Sequence, residues 1–185
     1  MTGWIQPRFG RNGLTRATFA RREHRGNLRC LFGRDYDAPV SATASIHGSV
    51  RTTRGFRVTV RPQYLPQQSN PEGAAADDSP GPPKFTFGYR IRIENGSSAS
   101  ARLLSRRWSI VDADGDRNEV LGEGVVGQQP DLAPGESFDY ASYCPIQTPW
   151  GTMEGAFKML GEDGEAFDIE VGRFYLVADG VGGAS

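Results

Sequence analysis

From residue 55 onward, apolar and polar residues alternate with a period of two, the signature of strands buried on one face. Phe56, Val58 and Val60 alternate with Arg57, Thr59 and Arg61, which predicts a half-buried strand closed by Pro62. Phe85, Phe87, Tyr89, Ile91 and Ile93 face one way in a longer strand, with Thr86, Gly88, Arg90, Arg92 and Glu94 opposite. Over 102–111, Leu104, Arg106, Trp108 and Ile110 alternate with Leu103, Ser105, Arg107, Ser109 and Val111. Further strands are predicted at Arg117–Leu121, at Ser137–Tyr143 through Phe138 and Tyr140, and around Met153, Phe157 and Met159. Phe167, Ile169 and Val171 mark another, and a final strand runs near Phe174–Ala178. No window keeps a 3.6-residue apolar period, so no helix is expected.

Turn chemistry punctuates these runs. Asn95-Gly96, Asp114-Gly115 and Asp163-Gly164 are hairpin signals, because residues that accept positive φ fit tight turns. Seven or eight short antiparallel strands with one apolar face each must cover one another, which makes an all-β sandwich the expected fold. Residues 66–83 carry Pro66, Pro71, Pro80, Pro82 and Pro83 with Gly73 and Gly81. That stretch exceeds the roughly 12–15 residues usual for structureless loops, so a flexible insertion is expected there. The domain is bounded at 51–178, with a Gly-rich flexible tail over 179–185.

A chain of 185 residues with net charge −1 has room for one domain. The charge is unevenly spread. Residues 1–50 hold eight arginines against Glu23, Asp35 and Asp37, whereas residues 51–185 hold thirteen basic residues against nineteen acids. The acidic body argues against nonspecific nucleic-acid binding, which needs a basic face. The Arg-rich segment 1–50 is expected to be a disordered leader. Its first 34 residues alternatively read as a mitochondrial presequence, although Gly3, Pro7, Gly10 and Gly13 interrupt an amphipathic helix. A nucleic-acid-binding arm using Trp4, Phe9 and Phe19 is the third reading. Cys30 and Cys144 lie in different parts of the chain, which suits a reducing cytoplasm rather than a disulfide framework. No apolar run reaches the roughly 18–20 residues of a membrane helix. Both histidines, His24 and His47, precede the predicted domain, so no Ser–His or Cys–His pair forms within it and no imidazole is at hand for zinc. The expectation is a non-enzyme with no cofactor.

Three motifs invite chemistry. Gly122-Glu123-Gly124-Val125-Val126-Gly127 matches G-x-G-x-x-G, but Pro130 and Pro134 forbid the helix a dinucleotide fold needs after it. It is either a strand-exit loop requiring positive φ or a backbone cradle for an anion, with Gly122, Gly124 and Gly127 as its ligand-binding candidates. Asp112, Asp114 and Asp116 look like the start of a calcium loop, yet Arg117 stands where that loop needs glycine. They read as solvated turn acids or a weak divalent-cation site. Arg106 and Trp108 share a strand face and Arg107 points oppositely, so only one arginine can readily join an anion site. Trp150, between Pro149 and Gly151, is expected in a turn, where it either contacts a partner or packs across the sandwich end.

These segments together resemble the ApaG domain, over about Arg51 to Ala178. The resemblance rests on Leu103-Leu104-Ser105-Arg106-Arg107-Trp108, Asp112-Ala113-Asp114-Gly115, the Gly122–Pro130 run, Leu132-Ala133-Pro134-Gly135-Glu136-Ser137-Phe138 and Gly151-Thr152-Met153-Glu154-Gly155. It implies a fibronectin type III-like, or immunoglobulin-like, β-sandwich. It also implies an association with cobalt resistance and magnesium efflux, and a protein-interaction role like that of similar eukaryotic domains. The family's glycine motif has been linked to nucleotide or pyrophosphate, which here points to Gly122, Gly124 and Gly127. Three functions follow: an interaction module with a protein partner, a phosphate-ligand binder using the Gly loop with Arg106 or Arg107, and a phosphoanhydride hydrolase using Asp112, Asp114 or Glu123 with a divalent ion. The last is disfavoured by the missing histidine.

Overall fold

The computed structural model describes residues 46–73 and 81–178. Its strands are β1 Ser49–Thr53, β2 Phe56–Tyr64, β3 Phe85–Asn95, β4 Ala101–Asp112, β5 Arg117–Glu123, β6 Asp131–Leu132, β7 Ser137–Ile146, β8 Trp150–Gly161 and β9 Ala166–Val177. One sheet has the order β1-β2-β3-β7 and the other β5-β4-β8-β9, with β6 added to β4. Every pairing is antiparallel. The expected all-β sandwich is the fold. Among the described residues the one helical element is a 3-10 turn at Pro66–Gln68, and no helix is long and apolar enough to cross a membrane.

The core forms where the two alternating faces meet. Phe56, Val58, Val60, Phe87, Ile91 and Ile93 come from the first sheet, and Leu103, Trp108, Met153, Phe157, Met159, Ile169 and Phe174 from the second. Trp108 stands at its centre. Its ring meets Phe157 and Phe174 edge-on at 5.8 and 6.3 Å, and Tyr89 reaches it from the opposite sheet at 5.8 Å. Edge-to-face contacts of this kind suit the aromatic quadrupole and add to burial.

Two β-bulges change the phase of the pattern. On β4, Leu103 pairs with Met159 and Ser105 with Lys158, leaving Leu104 as the extra residue. Ala101 and Leu103 are therefore buried before the bulge, and Trp108 and Ile110 after it. The expectation that Leu104 shares the Trp108 face was wrong for this reason. On β9 the register steps from Phe174 opposite Met153 to Val171 opposite Gly155. The strands predicted at 167–171 and 174–178 are one strand with a bulge at Gly172–Arg173.

Other boundaries also moved. β2 runs through Pro62 to Tyr64, because β1 starts only at Ser49, opposite Val60, and beyond that point β2 is an edge strand, where proline is tolerated. β1 begins at Ser49, and the His47 carbonyl accepts the Tyr175 N–H at 2.8 Å, so backbone pairing starts inside the segment expected as leader. Asn95-Gly96 is not a hairpin but the passage from the first sheet to the second. The buried Asn95 amide donates to the Ala99 and Leu132 carbonyls at 2.8 and 2.9 Å, and its oxygen accepts the Ser97 N–H. Within 66–83, Asn70 and Lys84 exchange backbone hydrogen bonds of 2.7 and 2.9 Å, and Ser69 Oγ accepts the Thr86 N–H. Residues 74–80, most of residues 1–50 and the tail 179–185 lie outside the described residues.

Candidate functional site

The Gly122–Gly127 run is a tight hairpin sewn onto the β4 bulge. Val125 and Gln128 exchange backbone hydrogen bonds of 2.8 and 2.9 Å around Val126 and Gly127, whose φ values are 49° and 76°. Positive φ at both central residues defines a type I′ turn, whose twist matches the strands it joins. The carbonyl of the bulged Leu104 accepts the Gly124 N–H at 2.8 Å and the Gln129 amide at 2.9 Å. Gly124 has φ 54°, and a Cβ there would run into the Gln128 carbonyl oxygen. Glycine is required at this position on both counts.

Arg106 fastens the same hairpin from the inner face. Its Nη1 donates to the carbonyls of Glu123 at 3.1 Å and Gly124 at 2.7 Å. The structure thus brings Arg106, Gly122 and Gly124 together, with the guanidinium directed at carbonyl oxygens. The Gly124 and Val125 N–H groups are likewise directed at carbonyls, while Gly127 stands at the open tip.

Arg107 lies on the other face, as the alternation requires. It lines a groove of about 600 Å³ with Arg51, Ser109, Arg117, Glu119 and Glu154. Much of this charge is paired locally. Arg51 bonds Glu170 at 2.8 Å, and Arg173 holds Glu154 through two 3.0 Å bonds that keep its carboxyl below the ordinary range. Ser109 Oγ is buried there with no hydrogen-bond partner among the described residues.

The acidic turn and Trp150 sit at the opposite end of the second sheet. Asp112 Oδ1 accepts the N–H groups of Asp114 and Asp116 at 3.0 and 2.9 Å, so this carboxylate braces its own turn. Among the described residues no group of three His, Cys, Asp or Glu side chains is placed to hold a metal ion. Trp150 is the first residue of β8 rather than part of a turn. The buried Thr148 hydroxyl donates to the Trp150 carbonyl at 2.8 Å and accepts the Ala113 N–H at 3.1 Å, tying the acidic turn to it. Trp150 pairs with Val177 and Thr152 with Tyr175, which puts Trp150 and Tyr175 diagonally on one outer face. They are 49% and 47% exposed. Tyr175 was not singled out from the sequence, although its place between the apolar Phe174 and Leu176 carried the signal.

Between the sheets, Tyr89, Tyr140 and Cys144 form a buried group of titratable side chains. Burial raises the Tyr89 phenol, an effect that a Ser142 hydrogen bond partly offsets. It pushes Tyr140 up further and Cys144 up to about 11. A thiol so raised is protonated at neutral pH and a poor nucleophile.

Known proteins share this architecture and sequence. The family model described as the ApaG domain matches residues 75–161. Protein ApaG of Anaeromyxobacter dehalogenans (strain 2CP-C) is 46% identical over 132 residues, covering 71% of this chain and 97% of that protein. Protein ApaG of Brucella canis is 48% identical over 124 residues, covering 67% and 88%. The crystal structure of an ApaA protein from Bordetella pertussis superposes with a TM-score of 0.61 at 41% identity, over 68% of this chain and 95% of that one. With this identity over near-complete coverage of these relatives, and the same sandwich fold, the chain belongs to the ApaG domain family.

Proposed function

We propose that the chain is a non-catalytic interaction domain whose protein partner sits on the end of the second sheet formed by Trp150 and Tyr175. The observation that carries this reading is the pair of half-exposed aromatics on one outer face, set on strands and braced by Thr148 rather than on a mobile loop. Ile46, 88% exposed, immediately precedes His47, whose carbonyl accepts the Tyr175 N–H. Aromatic anchors on rigid backbone are the residues that most often dominate protein interfaces. Because Asp112 Oδ1 is engaged within its turn and, among the described residues, no three His, Cys, Asp or Glu side chains are placed to hold a metal ion, the association with cobalt resistance and magnesium efflux that the resemblance implies is better served through a partner than by direct ion capture.

The test is affinity capture from a lysate with the full chain and with the Trp150→Ala/Tyr175→Ser variant. A specific partner retained by the unmodified chain and lost by an equally stable variant supports the reading. Equal capture by both overturns it. Thermal melting with pyrophosphate, ATP, Mg²⁺ and Co²⁺ is run in parallel, since a ligand that binds the folded state raises its stability by mass action. A rise with pyrophosphate or ATP, abolished by Arg107→Ala or by a hairpin variant, would favour the phosphate-ligand alternative instead.

A further inference from the structure

The outer face of the first sheet carries positive charge that the sandwich does not neutralise. Alternation turns Arg57, Thr59 and Arg61 of β2, Arg90 and Arg92 of β3, and Asp139, Ala141 and Tyr143 of β7 away from the core. The register sets Arg61 directly opposite Arg90. Like charges facing each other across antiparallel strands destabilise a sheet, so this pair works against the fold that holds it. The acids nearby are already engaged: Arg92 bonds Asp139 at 2.8 Å and approaches Glu94 at 3.4 Å. Among the described residues, Arg57, Arg61 and Arg90 have no ion pair or side-chain hydrogen bond. Elsewhere Arg51, Arg102 and Arg173 each bind an acid, and Arg107 and Arg117 share their groove with Glu119 and Glu154.

An exposed aromatic adjoins these cations. Tyr143, 61% exposed, pairs with Gly88, one position along the same face from Arg90 opposite Ala141. The Leu65 side chain covers Gly88, its Cδ1 3.2 Å from where a Cβ would stand, so Leu65 and Tyr143 both border the arginines on this face. The face therefore offers guanidinium groups in a row with an aromatic ring at its side.

We propose that this face docks a short acidic segment of a partner protein, with carboxylates received by Arg61 and Arg90 and an apolar side chain set against Tyr143. Charge complementarity selects the occupant. Carboxylates bound to these arginines would relieve the repulsion between them and form charge-assisted hydrogen bonds. A long polyanion such as nucleic acid would run off the face onto a body with nineteen acids against thirteen bases, whereas a short acidic segment stays within it. The site lies on the sheet opposite the one bearing Trp150 and stands or falls independently of that surface.

The test is a titration of the ¹⁵N-labelled full chain with hexaglutamate peptide, followed by amide chemical shifts. The expected result is saturable perturbation centred on Arg61, Arg90 and Tyr143. The Arg61→Gln/Arg90→Gln variant, with its spectrum otherwise unchanged, should weaken binding by about tenfold or more. Arg107→Gln/Arg117→Gln, on the opposite sheet, should change it less than about twofold. No saturable binding, perturbation confined to residues 1–50, or unchanged affinity in the Arg61/Arg90 variant would overturn the proposal. A 12-nucleotide single-stranded DNA that binds this face more tightly than hexaglutamate would also overturn it.

Discussion

The Arg106 guanidinium occupies the space that a side chain at residue 122 would need, since a Cβ on Gly122 would stand 2.8 Å from its Cζ. The two residues pair across β4 and β5, and the absent side chain lets the arginine reach the Glu123 and Gly124 carbonyls. Gly122→Ala should displace the guanidinium and cost about 1–2 kcal/mol, mostly as lost charge-assisted hydrogen bonds. Arg106→Ala should cost a similar amount for the same reason. Because both changes remove one interaction, the double variant should be little worse than either single one. Urea unfolding of all four proteins measures the coupling, and simple additivity would show that the contact is unimportant.

Val126 is a strained residue in an otherwise well-chosen hairpin. A β-branched side chain at φ 49° is an outlier, and Val126 is exposed, so packing gives it little in return. Val126→Asn would create the Asn-Gly pair that type I′ turns prefer. We expect a gain of about 1 kcal/mol with the fold unchanged, read from the urea midpoint at constant m-value. A loss of stability would mean that the valine methyls make a compensating contact.

Much of this molecule was legible as a sequence because a half-buried strand writes itself as alternation. The Phe85–Ile93 run shows this best, with its apolar side chains buried in the order predicted. Asp114-Gly115 and Asp163-Gly164 do join neighbouring strands. The bulges were not legible, since one extra residue shifts the pattern without announcing which residue is extra. Leu103 and Leu104 are chemically identical, and only pairing with Met159 and Lys158 decides which enters the core. Asn95-Gly96 misled because the same dipeptide serves a hairpin and a sheet-to-sheet passage, and the distinction lies in the long-range Asn95–Leu132 bond. For the Gly run, sequence reasoning found the need for positive φ but not the direction of the N–H groups. Those depend on the Leu104 carbonyl and on Arg106, both remote in the chain. Arg107 was correctly separated from Arg106 by strand parity alone.

Trp108 is the residue whose removal should hurt most. It is 2% exposed and touches aromatic rings from both sheets, so Trp108→Ala should cost about 3–5 kcal/mol. Its indole N–H, however, is buried with no partner among the described residues. Trp108→Phe deletes that unsatisfied donor along with some volume, and the two effects oppose each other. We expect a loss of only about 1–2 kcal/mol. Equal damage from both substitutions would show that the N–H is satisfied, for example by a bound water.

Alkaline stability should depend on Cys144. Its thiol is pushed from 9.0 to about 11 by burial, so the folded state holds the proton more tightly than the unfolded chain does. A group raised in this way gives its full stabilisation below the unfolded value and loses it as pH climbs through the folded one. Stability should therefore fall between about pH 9 and 11, by on the order of 2 kcal/mol from this thiol. Tyr89 and Tyr140, both raised by burial, add to the decline in the same direction at higher pH. Cys144→Ala removes the thiol and so should flatten the first part of this decline, even though the smaller side chain lowers stability at pH 8. Comparing urea unfolding of the two proteins at pH 8 and pH 10.5 separates the two effects. Parallel losses in both would assign the alkaline limb to the tyrosines and leave the thiol without a measurable part in it.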